Sequence, residues 1–239
     1  MNKDSGSVLW SIIIGPGVLP KGLIDRMFTL RRKEPVFMKR FLLLGVMLSV
    51  VTLSGCAGSG EVIKLRLHDM MKTNMADAGK NLSVVVAEFS DERPPADHLG
   101  SHVCIMGHIT YFDLMDGNLG KGVTTAFVDF LQKSGFQATA GNSGPTDVRI
   151  RGKITEFSAD ATGQFLSTNI RVHTIMEFTI ANAADGSTVR MTIGAGGTDD
   201  VIFFGPEDIE SLMNEVLQEG FEELIAKTEV QGKTLRRKV

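Results

Sequence analysis

The chain has 239 residues and a formal net charge of −3, and 43% of its residues are apolar, which excludes a disordered acidic segment and allows a folded core. The charge is unevenly spread: eight of the 25 Lys/Arg but only three of the 28 Asp/Glu precede Cys56. The rest of the chain is therefore acidic, which argues against a nucleic-acid partner, because phosphate backbones are held by clustered positive charge.

In chain order, the first legible element is a leader. Met38-Lys39-Arg40 precedes Phe41 to Leu53, a run without charge, and then Leu53-Ser54-Gly55-Cys56. A basic start, a short apolar stretch and small residues at a cut site are the layout of a bacterial secretory signal. The apolar run falls short of the roughly 20 residues that span a bilayer. The Leu-Ser-Gly-Cys tetrad resembles a lipobox. That resemblance implies acylation of Cys56, removal of residues 38–55, and Cys56 as the mature N-terminus. Each buried CH₂ of such a lipid contributes about 0.8 kcal/mol, so several chains hold a protein durably on a membrane. Ala57 follows the cysteine where Asp would favour inner-membrane retention, so the periplasmic face of the outer membrane is the expected location. Residues 1–37 show neither caps nor periodicity and are expected to be an upstream extension, with translation starting at Met38. The alternative is a long basic n-region starting at Met1 or Met27. Trp10 is the only tryptophan, so the processed protein should lack indole fluorescence.

The only other cysteine, Cys104, has no intrachain partner if Cys56 carries lipid, so no disulfide framework is expected. Its place in Val103-Cys104-Ile105-Met106 suggests a small buried hydrophobe. Residues 56–80 read as the lipidated cysteine and a tether that begins Ala57-Gly58-Ser59-Gly60, with Val62, Ile63, Leu65 and Leu67 suggesting a short strand or a frayed helix within it.

The folded domain is expected over residues 81–228. Leu82 to Phe89 is β-branched and ends at Asp91-Glu92-Arg93-Pro94-Pro95, predicting a central strand. The connection from Ala96 to Gly120 suggests a hairpin through Val103–Met106 and Ile109–Leu114. Val123, Ala126, Phe127, Phe130 and Leu131 form a helical stripe that stops at Ser134-Gly135. The period then changes to two: Val148, Ile150 and Ile154 alternate with Arg149, Arg151 and Lys153. Ile170, Val172, Met176, Phe178 and Ile180 oppose Arg171, His173 and Glu177 in a second strand. Asp185-Gly186 turns the chain into a third strand at Val189, Met191 and Ile193, which is expected to dissolve in Gly194-Ala195-Gly196-Gly197. Pro206, Glu207 and Asp208 open the last helix, with Ile209, Leu212, Met213, Val216, Leu217, Phe221, Leu224 and Ile225 on its apolar face. The order strand, insert, helix, three strands, helix predicts an α+β two-layer sandwich, mainly antiparallel, with both helices on one sheet face. Residues 229–239 read as a basic tail.

Candidate sites are few. His98, His102, Cys104 and His108 supply soft-metal ligand types at short spacing, but no standard zinc pattern fits, so loop histidines and a core cysteine are the preferred reading and no metal is expected. Gly117, Gly120 and Gly122 lead into a helix whose N–H groups suit an anion, a weak signal without a strand before it. Gly232-Lys233-Thr234 imitates the end of a P-loop, but Lys227 stands where its first glycine belongs. There is no H-E-x-x-H, no G-x-S-x-G and no recognisable carboxylate pair, so neither catalysis nor a cofactor is expected. Asp91, Glu92 and Asp97 read as a solvated acidic loop. The sheet face bearing Arg149, Arg151, Lys153, Arg171 and His173 is the expected interaction face, because helices should cover the other.

The lipobox, the run into Phe89-Ser90-Asp91-Glu92-Arg93, the helix end Leu131-Gln132-Lys133-Ser134-Gly135-Phe136 and Asp147-Val148-Arg149-Ile150-Arg151-Gly152-Lys153-Ile154 together resemble the YajG-like family of bacterial lipoproteins and the auxiliary lipoproteins of ABC-type lipid transporters. The resemblance covers Val84 to Lys227. It implies an α+β fold and residence in the envelope, and it supplies no catalytic residues. The expected function is a non-enzymatic binding or assembly accessory, held on the membrane by its N-terminal lipid and partnered by an envelope protein complex. Alternatives are an auxiliary lipoprotein of a lipid transporter and a periplasmic metal-binding protein acting through the His98–His108 loop.

Overall fold

The computed structural model describes residues 60–67, 78–79 and 82–238. Cys56 and the leader lie outside them.

The longest strand organises the rest. β7 (Val148–Gly163) pairs along its whole length, antiparallel, with β8 (Thr168–Asn182), and β8 with β9 (Thr188–Val201). The opposite edge of β7 is shared in series by β2 (Ser83–Val86), β3 (Ser90–Asp91) and β4 (Gly100–Val103), all parallel to it. β6 (Gln137–Ala140) extends the sheet beside β2, and β5 (Ile109–Leu114) then β1 (Val62–Leu65) extend it beside β4. The sheet is thus mixed, where the sequence suggested a mainly antiparallel one. Parallel neighbours need a crossover, and α1 (Leu119–Lys133), running between β5 and β6, supplies one for the β2–β6 pair.

Alternation along β7 is reset once. Ile154 lies opposite Met176 and Glu156 opposite Ile175, so Thr155 is an extra residue. Inward positions are therefore Val148, Ile150 and Ile154 before the bulge and Phe157, Ala159 and Ala161 after it, all buried. Both helices cover this inner face. Phe127 of α1 contacts Phe178 of β8 at 5.6 Å between ring centroids, and Phe221 of α2 (Pro206–Ala226) contacts Phe127 at 4.8 Å. Phe89 completes the cluster in a slot beside Gly152, where a Cβ would stand 2.1 Å from its ring. Pro206 occupies the first turn of α2, with Glu207 and Asp208 near the positive end of its dipole, as its sequence predicts.

Four expectations are corrected. The first strand is not continuous from Leu82 to Phe89: after Val86 the chain leaves the ladder, the Phe89 amide donates to Thr124 Oγ1 (2.9 Å), and β3 rejoins β7. The third strand does not dissolve at Gly194–Gly197 but runs to Val201, with Gly197 opposite Val172. Glycine is needed there because α2 lies so close that a Cβ would meet Leu212 at 2.8 Å. The expected tether is part of the fold: of the two readings of Val62 to Leu67 the strand holds, as β1, and its Leu65 is fully buried. The expected tail is the hairpin β10 (Thr228–Gln231) and β11 (Thr234–Arg237), with Leu235 buried and clasped by both polar ends of the Asn182 amide.

Candidate functional site

Because β7 and β8 bury their even-numbered positions at the β7 start, Arg149, Arg151 and Lys153 point to the face without helices, as do Arg171 and His173 of β8. They do not form one basic patch. Lys153 Nζ lies 2.9 Å from Glu92, and the hydrogen bond between them holds Lys153 above and Glu92 below their ordinary pKa values. His173 Nδ1 lies 3.6 Å from Glu156, and Arg171 faces Asp160 in the register.

Arg149 and Arg151 differ. They line a cleft of about 580 Å³ with Arg190 of β9, closed by the loop Gly144-Pro145-Thr146 and the turn from Asn182. In the register Thr179 stands between Arg151 and Arg190, which places their Cα atoms two strand spacings, about 10 Å, apart. No carboxylate lines the cleft. Three stand within two residues of the lining, and each has a partner or faces one outside it: Glu177, two residues from Thr179 on the same face, stands opposite Lys153 in the register. Asp147 accepts from the Ser83 amide at 3.2 Å and pairs with Lys233 at 3.2 Å, and these contacts hold its carboxyl below its ordinary value. Asp185 accepts from the Ser187 hydroxyl and amide and pairs with Arg236 at 2.7 Å, with the same result. The C-terminal hairpin therefore supplies the cations that pair Asp147 and Asp185 beside the cleft. Arg149 Nη2 donates to Gly144 O at 3.3 Å, while its Nε is shielded from solvent and has no hydrogen-bond partner among the described residues. Three guanidiniums on one cleft without a lining carboxylate are arranged for an anion. Arg190 was legible from the alternation Val189, Arg190, Met191 but was not included in the expected face.

The four metal-ligand candidates are not brought together. His98 stacks on Tyr111 at 4.3 Å and its Nδ1 lies 3.1 Å from Asp113, which Lys64 also approaches at 3.2 Å. Burial raises the Asp113 pKa, but the His98 and Lys64 contacts outweigh it and the net shift is downward. His102 lies on the other face of the hairpin, against Phe204 at 4.4 Å; its Nε2 is buried with no hydrogen-bond partner among the described residues, and desolvation lowers its pKa. Cys104 and His108 sit in the β4–β5 turn, where Ile105 and Met106 are 61% and 69% exposed, so the run around Cys104 is a turn and not core. Among the described residues no group of three or more His, Cys, Asp and Glu side chains is placed to hold a metal ion.

The glycine-rich lead into α1 is accounted for by packing. Asn118 Oδ1 accepts from the Lys121 amide at 2.9 Å, and a Cβ at Gly120 would lie 2.1 Å from Phe89 O. In the acidic loop, Asp91 forms a two-pronged pair with Arg93 at 2.9 Å that holds it below its ordinary value. No helix among the described residues is long and apolar enough to cross a membrane.

No family model and no curated protein matches the chain. Similar solved structures include a Xanthomonas campestris protein of the DUF330 family (10% identity, TM-score 0.46, covering 70% of this chain and 93% of that one). They also include a minor lipoprotein from Acinetobacter baumannii (11% identity, TM-score 0.33, 61% and 91%). A third is a lipoprotein from Neisseria meningitidis (12% identity, TM-score 0.31, 58% and 96%).

Proposed function

We propose that the chain is a lipoprotein of the bacterial envelope, held by acylated Cys56 at the periplasmic face of the outer membrane. It acts there as a non-enzymatic accessory that receives an anionic group, phosphate or carboxylate, in the Arg149–Arg151–Arg190 cleft. The leader and the Leu53-Ser54-Gly55-Cys56 tetrad support the anchor. The observation that carries the binding role is the set of three arginines lining one cleft without a carboxylate.

Guanidinium is suited to this task because its planar fork matches two oxygens of a phosphate or carboxylate at once, and it stays charged at any physiological pH. A ligand that binds only the folded state raises stability by RT ln(1 + [L]/Kd), about 2.7 kcal/mol at a hundredfold excess over Kd. Inorganic phosphate should therefore raise the thermal midpoint of the processed protein beyond the effect of chloride at equal ionic strength. The Arg149→Ala/Arg190→Ala variant should lose that excess, and an equal response from both proteins overturns the site. Phosphatidylglycerol vesicles carry the same chemistry on a lipid; competition by free phosphate for vesicle binding separates the two sources. The anchor is tested separately by the intact mass of protein from bacterial membranes, where an unmodified thiol and an uncut leader overturn it.

A further inference from the structure

Six large apolar side chains crowd the end of the sheet opposite the arginine cleft. Phe203 is 90% exposed, Phe165 85%, Leu166 75% and Ile202 74%, alongside Ile105 and Met106. They come from three turns far apart in sequence that the fold makes neighbours. The Gln164 amide donates to Ser167 O at 2.7 Å, so Phe165 and Leu166 occupy the two central positions of the β7–β8 turn. Exposed turns normally place Gly, Asn, Asp or Ser there. The β4–β5 turn lies against it, because a Cβ on Gly163 would stand 2.8 Å from the Ile105 amide. Ile202 and Phe203 follow Val201, which pairs with Thr168 at the start of β8, and Phe204 ties their loop to His102 and Phe112. Exposed apolar side chains gathered at one end, with two at the apex of each of three turns, mark a surface that meets something apolar.

Chain geometry identifies the occupant. The Gly60 amide donates to Ile109 O at 2.8 Å, and Ile109 is the first residue of β5 after the Ile105–Met106 turn. The polypeptide thus enters the fold at this same end. Cys56 is four residues upstream, a reach of at most about 14 Å even when fully extended.

We propose that this apolar end inserts into the lipid surface that holds the anchor, so that the three turns and the acyl chains of Cys56 enter one leaflet together. This rests on the reading of Cys56 as acylated. The nearest strand positions carry Asp199 and Asp200 and no lysine, so insertion is driven by apolar burial and not by attraction to anionic headgroups.

The test uses the absence of any tryptophan but Trp10. A Trp10→Phe/Phe203→Trp protein carries one indole at the apex whether or not the leader is removed, and a Trp10→Phe/Thr188→Trp protein carries one at the exposed cleft end. Both are purified from bacterial membranes, their intact masses measured, and reconstituted into phosphatidylethanolamine–phosphatidylglycerol vesicles with brominated acyl chains. The expected result is a blue-shifted emission at position 203 that loses most of its intensity to the brominated lipid, unaffected by high salt, with no quenching at position 188. An acylated Cys56 with an unquenched, water-like emission at position 203 overturns the insertion and leaves the anchor standing. A blue shift that depends on protein concentration and not on brominated lipid overturns it in favour of a second copy on the tip. A free thiol with quenching at position 203 upholds the insertion and overturns the anchor; a free thiol without quenching overturns both.

Discussion

The two ends of the β7–β8–β9 sheet are built from the same three strands and are chemically opposite. At the cleft end, register places three arginines on the bare face and a separate hairpin pairs Asp147 and Asp185 beside them. At the other end the strands run out into turns whose apices are apolar. The contrast shows that the strands set the spacing while their terminations set the chemistry. It also constrains the ligand. β7 is 16 residues long, so at about 3.3 Å per residue the ends lie roughly 45–50 Å apart. With the tip in lipid, the cleft stands away from that leaflet, and the anion it receives comes from solution or from a partner, not from the headgroups around the anchor.

The comparison requires a rigid body between the two ends, and the largest expected effect comes from breaking it. Phe127 is fully buried and contacts Phe89, Phe178 and Phe221. Phe127→Ala should cost about 3–5 kcal/mol in urea denaturation. Unfolding followed at both ends should shift together; separate transitions would show that the ends belong to independent units.

A smaller effect sharpens the contrast between packed and presented aromatics one residue apart. Phe204 is half-buried against Phe112 and His102, whereas Phe203 is nearly free of protein contact. Phe204→Ala should cost about 1–2 kcal/mol, a fraction of a fully buried ring. Phe203→Ser should change stability by less than about 0.5 kcal/mol while weakening vesicle association. A large stability loss from Phe203→Ser would mean that the tip is packed and not presented.

Much of this arrangement was legible in the sequence because side-chain period reports burial directly. The inward and outward sets of β8 and of β7 as far as Ile154, both helices and the Pro206 start follow from spacing alone. The lapses share a cause. The Thr155 bulge changes parity, which no period-two pattern anticipates, and Gly194–Gly197 looks like a loop until α2 is seen lying on it. β1, β6 and the final hairpin are four-residue strands, too short to show a period, and long-range pairing stabilises them. Of the expected interaction face, Arg149 and Arg151 reach the cleft; Lys153 and His173 face carboxylates across strands, a pairing that depends on register. Phe165-Leu166 and Ile202-Phe203 were visible as apolar pairs beside strand ends, but only the assembled fold makes neighbours of them.

Acid should loosen the two ends in sequence, an effect smaller than either core substitution because it begins locally. At the tip end, burial lowers the pKa of His102 from its ordinary 6.5, so the fold prefers the neutral ring. The stability this supplies is complete above pH 6.5 and declines as pH falls below it, through the depressed folded value. At the cleft end the depressed groups are Asp147 and Asp185, whose ordinary value is 3.8. Their contribution is present above that value and is lost as pH falls further, through their own folded values. The protection of backbone amides, measured by NMR as exchange relative to the free-peptide rate at each pH, should therefore fall first around Val103 and Phe204 as the solution passes below pH 6.5, while the β10–β11 hairpin keeps its protection until below pH 3.8. His102→Leu should abolish the first step and leave the second. Simultaneous loss at both ends, or a first step that survives His102→Leu, would show that acid acts on the sheet as a whole and that the ends do not differ in this respect.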